Sequence, residues 1–246
     1  MLIFDGSWRE GDISFSPDEY VVYETVRTYD GVPFKLEEHL RRLERSADLL
    51  KLEVPRRKII EAFDTFPYDG EHRFRVYLSS RGVFVSAEEI PPHPKSVEIV
   101  VSRWRKPPKS SVPPFLKILN QPSTILAKLE KGDRYEALML SSEGLLAEGT
   151  FSNVFLVKDG RVVTPSIETG ILDGITRSIV VSLAKDLGME VEERFVEVKE
   201  IFESDEIFLT HTSFEIVPVE RVENKAFRTP GEITKKLMEN FRRYAL

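Results

Sequence analysis

AEGTFSNVFLVKDGRVVTPSIETGILDGITR, residues 147–177, decides the reading of this chain. Asp159-Gly160 divides two Val-rich runs, NVFLV and RVVTP, as a hairpin turn does. Gly170 and Gly174 then lead into a helix in which Ile175, Ile179, Leu183 and Leu187 fall at successive i+4 positions and Gly188 is the stop. A helix start offers free backbone N–H groups and the positive end of a dipole. It can therefore hold an anion, and the Thr176 hydroxyl can add a donor. Ordinary capping by Asp173 or Thr176 is the plainer alternative. Glu148 lies in a stretch suited to burial, so its carboxylate needs a partner, either a protonated nitrogen heterocycle or a salt bridge. There is no GK[ST] loop and no GxGxxG after a strand, so the usual marks of a nucleotide site are missing.

Working outward, RKPPKSSVPP at 105–114 holds four prolines and fits neither a helix nor a central strand. It suggests a small domain over 1–106, a linker over 107–113 and a larger domain over 114–246. In the first part VVYETVRTYDGVPF reads as a hairpin turning at Asp30-Gly31. A helix follows, with Leu36, Leu40, Leu43, Ala47 and Leu50 on one apolar face and Arg41, Arg42 and Arg45 turned from its centre. A second helix is expected over Arg56 to Phe66, then strands in RFRVYLSS and VEIVVSRW. The second part adds a helix within QPSTILAKLEKG, strands in YEALML, DEIFLTHTS and EIVPVERV, and an amphipathic helix in GEITKKLMENFRRYAL. The fold class is α+β, with two domains built on mixed or antiparallel sheets.

The 246 residues carry a net charge of -6 and contain no cysteine. Disulfides, thiolate nucleophiles and Cys-based metal sites are excluded, and an acidic total argues against broad nucleic-acid binding. MLIFDGSWREGD does not resemble a signal peptide, and no apolar run is long enough for a membrane span, which points to the cytoplasm. His39, His72, His93 and His211 show no HExxH spacing, so no metal is expected, and no GxSxG elbow supports a serine hydrolase. Lys117 stands between apolar residues in PPFLKILNQ. It either is desolvated and nucleophilic or reaches out to solvent.

Lys117, Glu148 and GILDGITR, in that order, resemble the class IV aminotransferases, fold-type-IV enzymes that use pyridoxal 5'-phosphate (PLP). This family includes branched-chain and D-amino-acid aminotransferases and 4-amino-4-deoxychorismate lyases. VYETVRTYDGVPFKLEEHLRRLERSA is similar to its N-terminal segment, residues 147–177 to its C-terminal signature, and DEIFLTHTSFEIVPV to its phosphate-binding end. The resemblance implies a two-domain architecture like that of the D-amino-acid enzymes, and a homodimer. It implies that Lys117 carries PLP covalently and moves the substrate Cα proton, and that Glu148 faces the pyridine nitrogen. Arg42, Ile175, Thr176 and Thr212 would surround the phosphate, and Leu172 would pack against the ring. Tyr23, Glu24, Thr25, Arg75 and Ser213 would line the substrate. Two reactions follow from it. One is amino transfer between a branched-chain or related aliphatic amino acid and a 2-oxo acid, placed first because it is the commoner activity of the class. The other is release of 4-aminobenzoate and pyruvate from aminodeoxychorismate. The lyase is favoured by Lys117-x-x-Asn120, one residue shorter than the branched-chain K-x-x-x-N-Y pattern, and by Thr25 as a proton-transfer group; the missing glycine-rich loop and extra arginine in RVYLSSRGVFVSAEE count against it. A non-catalytic PLP- or anion-binding module is the third reading.

Overall fold

A computed structural model describes residues 2–3, 8–16 and 18–245. The chain divides into two compact units, one of residues 1–92 with 115–119, the other of 93–114 with 120–246.

The first unit contains β1 (Leu2–Ile3), β2 (Trp8–Arg9), β3 (Val22–Tyr29), β4 (Val32–Pro33), α1 (Leu36–Leu49), α2 (Arg56–Asp64), β5 (His72–Ser79) and β6 (Gly82–Glu89). Its strands form one antiparallel sheet in the order β2-β1-β6-β5-β3-β4. Asp30 and Gly31 have φ of 48° and 77°, so both central residues of the β3–β4 turn are left-handed, as a two-residue hairpin requires. Strand alternation sends Val22, Val26, Phe74, Val76, Leu78 and Val85 to one face, where they pack with Leu40, Leu43 and Ala47 of α1 and Ile59 and Phe63 of α2. Tyr23 and Thr25 stand on the other face with their cross-strand partners Tyr77 and Arg75.

The second unit begins with β7 (Val97–Arg105), α3 (Pro122–Glu130), β8 (Glu136–Leu140), β9 (Leu146–Gly149), β10 (Asn153–Lys158) and β11 (Arg161–Pro165). It continues through α4 (Ile175–Asp186), β12 (Val191–Arg194), α5 (Val198–Glu203), β13 (Glu206–His211), β14 (Glu215–Val222), β15 (Lys225–Ala226) and α6 (Glu232–Ala245). The sheet is mixed, in the order β12-β11-β10-β13-β14-β7-β8-β9, with β15 on β14. Val154, Leu156, Ile207, Leu209, Val217 and Val219 fill one side with Ile201 of α5; Phe155, Val157 and Phe208 meet α4 and α6 on the other. Both faces of β10 are covered, which is why NVFLV is apolar throughout.

The chain does not divide at 107–113: β7 pairs in parallel with both β14 and β8, so VEIVVSRW and the prolines after it belong to the second unit. Helix α4 forms where expected; it buries Thr176, Arg177, Val180, Val181, Leu183 and Ala184, while Ile179 and Leu187 are half-buried against the same core.

Candidate active site

Lys117 is held by main chain. Leu119 N–H donates to Val21 O at 2.8 Å and Tyr23 N–H to Lys117 O at 3.1 Å, so residues 117–119 extend the sheet beside β3. Ser46 Oγ accepts from Lys117 N–H at 3.2 Å and donates to Phe115 O at 3.0 Å, tying the same segment to α1. Lys117 Nζ lies 4.8 Å from the centre of the Tyr23 ring, a cation–π contact on the face that also carries Thr25 and Arg75. Lys117 thus belongs to the first unit, not to the C-terminal domain in which the linker reading put it. Tyr23 stacks on Tyr77 at 6.3 Å, and Phe15 approaches Tyr77 and Phe84 at 5.6 and 6.0 Å. Arg75 and Arg73 share the carboxylate of Glu88.

Glu24 was expected to line the substrate, but strand alternation places it on the opposite face from Tyr23 and Thr25, and it is 1% exposed. Arg42 Nε donates to its Oε1 at 2.6 Å and Arg42 Nη2 to its Oε2 at 2.8 Å, and His39 Nδ1 is 2.9 Å from Oε2. Burial disfavours the Glu24 charge, but the Arg42 guanidinium and His39 outweigh it and hold the carboxyl well below the usual carboxylate range. His39 is pushed below its ordinary value by burial, against the pull of Glu24. A neutral ring beside an ionised carboxylate makes Nδ1 the donor. Arg42, expected at a phosphate, therefore presents a guanidinium already fixed by Glu24.

In the second unit Glu148 is 8% exposed at the end of β9. Its Oε2 accepts from Leu172 N–H at 3.0 Å and Asn153 Nδ2 at 3.1 Å, and Lys106 Nζ donates to Oε1. Asn153 also donates to Leu172 O at 3.0 Å. A Cβ on Gly174 would run into Asn153 Oδ1, so Gly174 permits this close approach of the segment before α4. Ile175 and Thr176 open α4, whose N-cap residue, Gly174, has no side chain to cap it. Thr212 and Ser213 lie in the turn between β13 and β14. Beneath residues 149–152 the carboxylate of Glu136, fully buried, accepts from Ala137 N–H, Thr150 N–H and Thr150 Oγ1 on one oxygen, and from Phe151 N–H and Ser152 Oγ on the other. Burial pushes its carboxyl up, against the hydroxyls of Thr150 and Ser152.

The structure thus brings together Tyr23, Thr25, Arg75 and Lys117 in one unit, and Glu148, Leu172 and the start of α4 in the other. Asn153, Lys106, His39 and Glu136 were missed. A usable signal existed for two of them: Glu136 precedes the apolar run ALML, and Asn153 opens the apolar run VFLV.

Residues 21–222 match the family described as amino-transferase class IV. A Thermotoga maritima protein assigned as a branched-chain-amino-acid aminotransferase is 45% identical over 240 residues, 92% of this chain and 86% of that one. The aminodeoxychorismate lyase of Bacillus subtilis is 32% identical over 271 residues, covering 96% and 92%. A Thermotoga maritima crystal structure, described as that of a branched-chain amino acid aminotransferase, superposes with a TM-score of 0.90 at 41% identity, covering 99% and 95% of the two chains. A Brucella abortus aminotransferase bound to the cofactor PLP gives 0.87 at 25% identity, covering 99% and 98%. The chain belongs to the class IV aminotransferases and has their two-domain fold-type-IV architecture.

Proposed function

We propose that this chain is a PLP-dependent aminotransferase that moves an amino group between a branched-chain or related aliphatic amino acid and a 2-oxo acid, working as a homodimer. The observation that carries the choice of substrate is the face around Lys117. Tyr23, Tyr77, Phe84 and Phe15 offer aromatic surface to an aliphatic side chain, and Arg75 beside Thr25 offers a guanidinium to a carboxylate. The donor set fits the cofactor. Glu148 is an oriented buried carboxylate suited to a protonated ring nitrogen, and the start of α4, with glycine at its N-cap, suits a phosphate. Thr210 Oγ1, buried and without a hydrogen-bond partner among the described residues, sits opposite Asn153 in register and two residues before Thr212.

When bound, PLP supplies an electron sink for the carbon that loses its proton. Lys117 would attach the cofactor through Nζ and afterwards hold and return the Cα proton. Glu148 would keep the ring nitrogen protonated, with Leu172 packed on the ring. Arg42, Ile175, Thr176 and Thr212 would hold the phosphate, and Tyr23, Thr25, Arg75 and Ser213 would orient the substrate. Exposed Ile125, Leu126 and Leu129 along α3 support burial of that surface in a dimer.

The lyase reading is favoured by one observation: Thr25 shares the Lys117 face, where its hydroxyl could relay a proton as pyruvate leaves. One experiment separates the two. The protein is incubated with a panel of amino acids plus 2-oxoglutarate, and separately with aminodeoxychorismate, alongside Lys117→Ala and Thr25→Val. We expect keto-acid formation from branched-chain amino acids, none of it in Lys117→Ala. Thr25→Val should alter KM more than kcat. Release of 4-aminobenzoate by the wild type, falling about 10²-fold in Thr25→Val, would replace this reading with the lyase.

A further inference from the structure

The sheet face that carries Lys117 is graded along its strands. Cross-strand register sets Tyr23 beside Tyr77 and Tyr77 beside Phe84, then Thr25 beside Arg75 and Arg75 beside Ser86, then Arg27 beside Arg73 and Arg73 beside Glu88. Successive rows on one face are about 7 Å apart. The first row is aromatic, and Lys117 Nζ lies over it at Tyr23. The second and third hold three guanidiniums. Arg27 is paired with the carboxylate of Glu71. Arg73 and Arg75 share that of Glu88: Arg73 Nε donates to Oε1 at 3.1 Å, Arg73 Nη2 is 2.9 Å from Oε2, and Arg75 Nη1 donates to Oε1. Burial disfavours the Glu88 charge, but the two guanidiniums outweigh it and hold the carboxyl below its ordinary value. Two guanidiniums on one carboxylate leave the trio with a positive charge in excess. The Glu88 side chain is 43% exposed and belongs to the last residue but one of β6, so it can turn out to solvent without disturbing the sheet.

We propose that Glu88 is a specificity-determining residue: it occupies Arg73 and Arg75 while an aliphatic side chain lies on the aromatic row, and it yields that place to the second carboxylate of a dicarboxylic 2-oxo acid. This rests on the amino-transfer reading above and names the acceptor for it. Amino transfer uses one site twice, so a face that receives an aliphatic side chain in one half of the reaction receives the acceptor in the other. Guanidiniums without a counter-charge are costly to cover with an apolar chain, because they lose water and gain no partner. A rigidly buried carboxylate would remove that cost but would bar an acidic acceptor. A carboxylate on a flexible, part-exposed side chain meets both needs, since the incoming carboxylate takes over the same charge-assisted hydrogen bonds.

The test compares two acceptors in the holoenzyme. With leucine as donor, kcat/KM is measured for 2-oxoglutarate and for 3-methyl-2-oxobutanoate, and the ratio of the first to the second is the readout. Glu88→Gln removes the competing charge, so the ratio should rise about tenfold, through KM more than kcat, the scale of one charge-assisted hydrogen bond. If Glu88→Gln does not fold, Glu88→Ser removes the same charge and gives the same readout. Arg73→Met should move the ratio the other way, lowering it about tenfold, because one of the two guanidiniums is lost. A ratio that the Glu88 variant leaves unchanged overturns the proposal, as does an Arg73→Met variant that loses both acceptors alike. A wild type that takes the aliphatic acceptor but not 2-oxoglutarate also overturns it, and in each of these cases amino transfer itself stands. No transfer from leucine to either acceptor rejects the amino-transfer reading and this proposal with it.

Discussion

Glu24 shows how one side chain can be read correctly for direction and wrongly for purpose. Alternation along VYETVRTY already turns it away from Tyr23 and Thr25, yet only the folded chain shows Arg42 and His39 waiting on that side. The cluster has a definite pH signature. Glu24, held below the ordinary carboxylate value of 4.5, contributes stability that is present above that value and is lost as pH falls. His39, pushed below 6.5 by burial, acts in the same direction, because the unfolded chain takes up its proton first as the solution is acidified. Glu24→Gln should therefore cost about 3–5 kcal/mol at neutral pH by leaving the Arg42 charge uncompensated. The deficit should shrink as pH falls below about 4.5, where the wild type loses the same interaction. His39→Gln should flatten the decline that begins near 6.5. Urea-unfolding midpoints across this range read both, and a Glu24→Gln deficit that does not vary with pH would contradict the assignment.

Among the elements, β8 and the turn after β9 are coupled through Glu136. Its two oxygens take five donors, three of them backbone N–H groups that cannot reverse polarity. A Cβ on Gly149 would collide with Glu136 Oε2 and Ser152 Oγ, so the turn closes directly onto the carboxylate. Glu136→Gln must aim an NH2 at one or more of those N–H groups, and should lower stability by about 2–4 kcal/mol, seen as a lower urea midpoint. A Glu136→Gln variant with the wild-type midpoint would mean that the turn holds itself. This coupling also marks the limit of reading the sequence. Asp30-Gly31 and Asp159-Gly160 were legible because the left-handed conformation they need is a local property of the residue pair. Helix α4 was legible as a helix, but not which of its rows is buried deepest. The row through Ile175 and Ile179 flanks the buried row through Thr176, Val180 and Ala184, and only the sheet beneath decides between adjacent rows. The membership of β7 was not legible, since its partners β14 and β8 lie far along the chain and a strand does not name its neighbours. Lys117 and Glu148 could be picked out in the sequence. Lys106 and His39 could not, because each matters only through the side chain it meets in space.

For the molecule as a whole, the chain leaves the first unit after residue 92, returns for 115–119, and leaves again. Those five residues fold with the first unit although they follow the proline-rich stretch, and they include Lys117. Their hold is modest: the pairing of Leu119 and Tyr23 with Val21 and Lys117, and the bridge made by Ser46 Oγ. Each such hydrogen bond contributes about 1 kcal/mol, too little to decide whether either unit folds but enough to fix where the Lys117 stem begins. Leu119→Pro removes the N–H that donates to Val21 O, and Ser46→Ala removes both ends of the second tie. The expectation is a selective loss. Far-UV circular dichroism should stay that of the wild type, while turnover falls about tenfold for Ser46→Ala and further for Leu119→Pro, the scale expected when a proton-transfer group loses its register. Borohydride reduction followed by peptide mapping gives the second measure, the fraction of chains with cofactor mass on Lys117, which should fall in the same order. If Leu119→Pro kept full turnover, the short strand at 117–119 would not be what places the lysine, and the apolar and aromatic contacts of Phe115 and Leu116 with α1 and the core would have to do so.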